Sequence, residues 1–179
     1  MQAFLQYNYL VKKVVFEIKL LPLVKMIGSS FVHLFFMLVL VVMYFIYGMK
    51  PDIHIIQLPY YSLCMFALVL AFSYITSSVV IFFRDLNQII NILLQIGMWA
   101  TPIMWDITFL KGKWEPLRIL FKFNPVYYIV NGYRSALFEG RWFWQEGWIN
   151  LYFWAFTAVL FLIGSSVYRS LKPHFADVL

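Results

Sequence analysis

Acidic side chains are scarce in this chain, with eight Asp and Glu among 179 residues and none inside its four longest apolar runs. That scarcity excludes the intramembrane carboxylate relay of a proton-coupled transporter, and it leaves an enzyme reading without clustered carboxylates. Cysteine is rarer still. The single Cys64 rules out an intrachain disulfide and leaves the redox compartment unreadable. There is no G-x-x-x-x-G-K-[ST], no Cys/His cluster at metal-ligand spacing and no Ser, His and Asp arrangement around a nucleophile. P-loop nucleotide binding, a metal centre and triad hydrolysis therefore have no carrier here, and no cofactor is expected in this chain. Nothing in the opening residues resembles a cleavable signal peptide, because the start is mixed polar and apolar.

What the chain has in excess is hydrocarbon. Hydrophobic residues make up 63% and charged residues 12%, whereas soluble domains run near ~45–50% and ~25%. Four apolar runs, 26–47, 59–82, 86–105 and 149–168, match the ~20 residues that cross a bilayer as a helix. The expected fold is an all-α integral membrane domain over residues 1–179. It has four transmembrane helices, an N-terminal amphipathic helix and two short re-entrant outer helices. A net charge of +6 suits anionic head groups or an anionic substrate, with no sign of nucleic-acid binding.

A polar stripe cuts through the hydrocarbon. At ~100° per residue, Arg84, Gln88, Asn91 and Gln95 share a narrow sector of one helical face, and Pro102 returns to it. Lipid cannot satisfy such groups, so the face must look into a helix bundle or a wet cavity. Ser73 and Ser77 share a face with Arg84 in the preceding run, beside Thr76 and Ser78. These small polar positions suit close helix contact. Gln88, Asn91 and Gln95 stand equally as path-lining groups or as interhelical packing. Asp85 is most simply the ion-pair partner of Arg84. In the first run His33 reads as a packing residue.

Residues 1–25 carry Tyr7, Val11, Val14, Ile18 and Leu21 at spacings of three or four, an amphipathic pattern expected to end at Pro22. Lys12, Lys13, Lys19 and Lys25 place it at a cytoplasmic membrane surface. Lys and Arg divide evenly between the two sides, so orientation rests on parity, with both termini and the tail 169–179 in the cytoplasm. All seven tryptophans lie between Trp99 and Trp154, as an outer interfacial belt would. In the outer segment 106–148, Glu115 to Phe123 is apolar enough to dip into the bilayer and too short to cross. Asn124-Pro125 reads as an N-cap with proline at the first helical position. Val126, Ile129, Val130, Tyr133 and Leu137 then form a stripe that Gly140 can stop.

Taken in order, several of these pieces resemble one family. They are Asn8-Tyr9-Leu10-Val11-Lys12-Lys13-Val14-Val15-Phe16 with Leu21-Pro22, then Phe83-Arg84-Asp85-Leu86, then Thr101-Pro102-Ile103-Met104-Trp105. Asn124-Pro125-Val126-Tyr127-Tyr128, Gly132-Tyr133-Arg134 and the ending Leu171-Lys172-Pro173-His174-Phe175-Ala176-Asp177-Val178 complete the set. Together they resemble the membrane subunits of ABC-2 type exporters of polysaccharide and teichoic acid, and the ending is most similar to teichoic acid translocating members. The resemblance implies a homodimer of permease subunits in the cytoplasmic membrane, working with an ATP-binding cassette subunit that carries ATP and Mg. Its cargo would be a lipid-linked anionic polymer of teichoic acid type, moved outward. O-antigen, capsule or drug export, a non-transporting scaffold and a membrane transferase are the alternatives.

By the same resemblance, Lys12, Lys13, Phe16, Pro22, Arg84 and Asp85 would couple to the ATPase. Ser73, Ser77, Gln88, Asn91, Gln95 and Thr101 would line the translocation path, and Asn124, Pro125, Tyr128, Tyr133 and Arg134 would form an outer gate. Where the family usually has proline after the phenylalanine of the coupling segment, and an acid two residues later, this chain has Glu17 and Lys19. Six spans are usual in the family, so the first two are expected to be missing here.

Overall fold

A computed structural model describes residues 21–50, 52–83, 85–105, 107–110 and 112–174, and these residues fold as helices and connecting turns without a strand. Lys12, Lys13, Phe16 and Arg84, with the expected amphipathic helix and the Arg84–Asp85 ion pair, lie outside the described residues. The protein is an all-α integral membrane protein. Among the described residues three helices, Pro22–Ile46, Ile53–Val80 and Gly147–Leu171, are long and apolar enough to cross a bilayer. Six α-helices are described: α1 Leu21–Ile46, α2 Leu58–Val80, α3 Leu86–Ala100, α4 Glu115–Lys122, α5 Pro125–Arg134 and α6 Gly147–Leu171. The chain divides into two compact units, and both α2 and α6 contribute a segment to each.

The first unit combines α1, the second half of α2 and the end of α6. Pro22 lies within the first described turn of α1, and the amphipathic helix expected to end there lies outside the described residues. Helicity therefore covers residues 21–25 as well as the apolar run expected from 26. Phe31, Phe35, Phe36 and Leu38 point outward from α1, as side chains solvated by hydrocarbon do. Several hydroxyls of this unit are satisfied within their own helices. Ser29 and Ser30 donate to the carbonyls of Lys25 and Met26, and Ser78 donates to Tyr74. Gly48, at φ 70°, closes α1, and Tyr44 returns its hydroxyl to the carbonyl of Lys50 at 2.9 Å. At the other end of α6, Gly164 brings its backbone close to α2. A Cβ there would meet Tyr74 Cβ and Ile75 Cγ1 at 3.1 Å, the close approach that small residues permit between membrane helices.

The second unit holds the start of α2, then α3 to α5 and most of α6. The third apolar run, expected to be helical over 86–105, is an α-helix only from Leu86 to Ala100. At ~1.5 Å per residue these 15 residues reach ~22 Å, short of the ~30 Å hydrocarbon layer. The cause is Pro102. It cannot donate to the helical ladder, and it biases Thr101 away from helical geometry. Cys64 sits in the packed part of α2 in this unit, fully buried and unpaired as a thiol.

Candidate functional site

Two short helices, α4 and α5, form a hairpin whose corner is built from the Asn124-Pro125 pair. Asn124 has extended backbone (φ −75°, ψ 119°) and accepts the Val126 N–H on its side-chain oxygen at 2.9 Å, with Pro125 opening the helix. Its amide nitrogen has a second task, donating to Thr101 Oγ1 at 2.8 Å. One side chain thus caps α5 and fastens the hairpin to the turn after α3. Arg134, in the last turn of α5, holds the same turn from the other end. Its guanidinium donates to the carbonyls of Ile103 at 2.7 Å and Trp105 at 3.4 Å, groups that the broken helix leaves without donors. Beyond Arg134 the chain continues as a π-helical turn, Ser135–Glu139, and stops at Gly140 in the left-handed region at φ 61°.

The inner side of α5 rests on rings. Gly132 lets the backbone lie against the Tyr61 ring, which fills the space a Cβ would need. Tyr128 stacks on Phe153 with centroids 4.8 Å apart. Tyr60 is the hub of a polar network. Its hydroxyl accepts from Trp154 Nε1 at 3.0 Å and lies 3.0 Å from Asn150 Oδ1 and 3.3 Å from the Tyr128 hydroxyl. The Tyr60 proton goes to Asn150, so Tyr128 must donate to Tyr60. The same logic orders a second pair. Ser62 gives its proton to the Leu58 carbonyl at 2.9 Å, and therefore Tyr133 donates to Ser62 across 2.8 Å. Burial pushes the Tyr128 phenol up, reinforced by Tyr60. It also raises that of Tyr133. Both phenols stay neutral donors at physiological pH.

Two hollows flank α4. The larger, about 800 Å³, is mixed in character, with apolar walls and the charged side chains of Glu115, Arg118, Lys122, Arg134, Glu139 and Arg141 in its lining. Four cations there face two carboxylates. Glu115 pairs with Arg118 at 3.8 Å and Glu139 with Arg141 at 3.4 Å. The smaller hollow, about 500 Å³, is almost wholly apolar, lined by Phe123, Trp148, Leu151, Tyr152 and Ala155, with Ile119, Lys122 and Ile149 common to both. Tyr152 closes one end by donating to the Phe123 carbonyl at 2.8 Å. A belt of rings lies at the start of the segment before α6. Trp142 and Trp144 stack at 4.5 Å, and His54 lies 4.7 Å from Trp142. Gln57 pins that segment, donating to the Arg141 carbonyl at 2.9 Å and accepting the Phe143 N–H at 2.7 Å.

Against the expected site, the structure gathers one set of residues and separates another. Asn124, Pro125, Tyr128, Tyr133, Arg134 and Thr101 all lie on or against the α4–α5 hairpin. Thr101 is buried and bonded to Asn124. Ser77 is buried in the first unit and donates to the carbonyl of half-buried Ser73. Gln88, Asn91 and Gln95 stand exposed along α3. Asp85 is exposed, and Pro22 is buried in α1. Sequence reasoning missed Tyr60, Asn150 and Trp154, whose network depends on a fold that brings α2 against α6. It also missed the basic edge of α4, although Glu115, Arg118, Ile119 and Lys122 recur at helical spacing on one face.

Comparison with known proteins reaches most of the chain. The O-antigen export system permease protein RfbA of Myxococcus xanthus is 27% identical over 131 residues, covering 73% of this chain and 49% of its own length. Two Klebsiella pneumoniae proteins of the same name are 26% and 24% identical over 99% of this chain and 66% of theirs. The chain thus spans between half and two thirds of the curated relatives it matches. Residues 9–138 match the ABC-2 type transporter family, and with well over half of its length matched, the chain belongs to that family.

Proposed function

We propose that this chain is the membrane subunit of an ATP-driven exporter that carries a lipid-linked polysaccharide outward across the cytoplasmic membrane. The observation that carries the reading is the family match over residues 9–138. The O-antigen export names of the relatives favour O-antigen-like cargo over the teichoic acid suggested by the C-terminal resemblance. ATP is hydrolysed by a separate subunit, and two copies of the permease enclose the path. Residues 8–22 and the Arg84-Asp85 turn receive the ATPase stroke. The polar face Gln88, Asn91 and Gln95 joins the wall of the path, and the hairpin from Asn124 to Arg134 closes its outer end. The geometry supports that last role, since the hairpin is a capped, ring-packed unit tied to the turn after α3 by two side chains, a body able to move as one piece.

The test is made in cells deleted for the native protein, by measuring surface polysaccharide and lipid-linked polymer inside the membrane. The reading predicts loss of the first and accumulation of the second, both reversed by the intact gene and not by a partner subunit unable to hydrolyse ATP. Normal surface polymer in the deletion strain overturns it. Composition of the accumulated chains separates O-antigen repeats from polyol phosphate repeats.

A further inference from the structure

We infer that the two hollows beside α4 form one site for a single-chain lipid phosphate, with the phosphate in the basic cavity and the hydrocarbon chain in the apolar groove. This rests on the exporter reading, because it assigns the lipid end of the cargo to these residues. Three observations carry it.

The first is adjacency of unlike surfaces. Ile119, Lys122 and Ile149 line both hollows, so a compartment lined by charged side chains and an almost wholly apolar one meet along a shared edge. A soluble sugar needs only the first, and a plain hydrocarbon only the second. An amphiphile with one charged junction fits both, and the two volumes lie within the ~300–1,000 Å³ common for ligand sites.

The second is charge. The cavity lining has a formal balance of +2, from Arg118, Lys122, Arg134 and Arg141 against Glu115 and Glu139. Three of the four cations already have tasks. Arg118 and Arg141 are paired with carboxylates, and Arg134 is held by carbonyls. Lys122 makes no hydrogen bond or ion pair among the described residues, and it stands on the edge common to both hollows. An ammonium on a flexible stem is suited to a phosphate there, its methylenes lying along the groove and its charge in the cavity. The third is the groove's far side. Ala155 and Leu151 leave the α6 wall open, and Trp148 flanks it with an exposed ring.

The assay uses the native permease with its ATP-binding partner, in nanodiscs of uncharged lipid. The probes are farnesyl phosphate, inorganic phosphate and dioleoylphosphatidylglycerol. Lys122→Gln is expected to weaken farnesyl phosphate binding about tenfold, the scale of one charge-assisted contact, and Lys122→Arg to restore most of it. Ala155→Phe, which adds a ring to an exposed wall and disturbs no packing, is expected to weaken farnesyl phosphate to a similar extent while leaving inorganic phosphate unchanged. Thermal stability of each variant separates lost binding from lost fold. The inference is overturned if both variants bind farnesyl phosphate like wild type, or if phosphatidylglycerol displaces it at equal mole fraction, the mark of a general anionic lipid surface. Surface polysaccharide is read in parallel. Unchanged binding in variants of a strain whose export still depends on the permease removes the site and leaves the exporter reading. Intact, Lys122-dependent binding in a protein whose deletion leaves export normal does the reverse.

Discussion

Replacing Gly132 by alanine adds one methyl group at the point where α5 touches Tyr61, and the structure leaves no room for it. The new Cβ falls within the Tyr61 ring, overlapping Cδ1, Cε1 and Cζ, far inside the ~3.5–4.0 Å at which carbon atoms rest against each other. The ring cannot swing away freely. Tyr61 is buried, with Tyr60, Tyr128 and Tyr133 centred 5.2, 5.8 and 5.9 Å from it. Either α5 moves off α2, stretching the Tyr133–Ser62 and Tyr128–Tyr60 bonds, or four rings repack together. Overpacking of this kind costs ~1–3 kcal/mol, and the overlap argues for the upper end. Alanine returns ~1 kcal/mol of helix propensity over glycine. The net loss is therefore about 2 kcal/mol, or a Tm lower by ~4–8 °C on the scale of a chain this size. Thermal unfolding of the purified protein in detergent measures it, with Gly97→Ala as control, because a Cβ at Gly97 meets nothing within 4 Å. Adding Tyr61→Leu to Gly132→Ala should recover part of the loss as a favourable coupling in the double-mutant cycle. An unchanged Tm for Gly132→Ala, or a loss equal to that of Gly97→Ala, would refute the packing argument.

Asn124→Ala removes the α5 cap and the tie to Thr101 together. A loss of about 1–2 kcal/mol is expected, with faster hydrogen exchange at the Val126 amide, and Asn124→Asp should restore the amide protection. Arg134→Met strips donors from the Ile103 and Trp105 carbonyls, a charge-assisted loss of ~1.5–3 kcal/mol. Arg134→Lys should not rescue it, since one ammonium cannot reproduce the fork, and proteolysis within the 101–105 turn reads the difference. Tyr133→Phe should cost about 1 kcal/mol, with a defined pH signature. Burial raises the folded phenol above its unfolded value, so wild type holds its advantage at every pH below ~10 and loses it as the pH climbs through the folded value. A Tm gap between wild type and variant that widens in alkali would contradict this sign.

The helices were legible in the sequence wherever a local rule governs them. The Asn124-Pro125 start and the Gly140 stop follow from capping and backbone freedom alone, and long apolar runs without carboxylates forecast α1, α2 and α6. Run length misled at the third, because hydropathy does not register that Pro102 halts the ladder at Ala100. The site was less visible. Arg134 enters from the sequence as part of an outer gate, yet its first partners are two backbone carbonyls left bare by the broken helix, a need that appears only once α3 has been seen to end. Lys122 is one basic residue among fourteen. Its distinction comes from standing where an apolar hollow meets one lined by charged side chains, which no spacing rule encodes. The Tyr60 hub joins residues 60, 128, 150 and 154, separations too long for any pattern.

A lone, fully enclosed sulfhydryl makes this chain its own reporter. Because Cys64 is sealed inside the tyrosine-rich packing of α2, an aqueous maleimide leaves the resting protein unmarked. A cysteine introduced at an exposed polar position, such as Gln88 on α3, then carries the signal against this silent background. The silence of Cys64 is informative in turn. Under the proposed exporter function, label arriving at that position during ATP turnover would time a parting of α5 from α2, and its absence would count against movement of the hairpin.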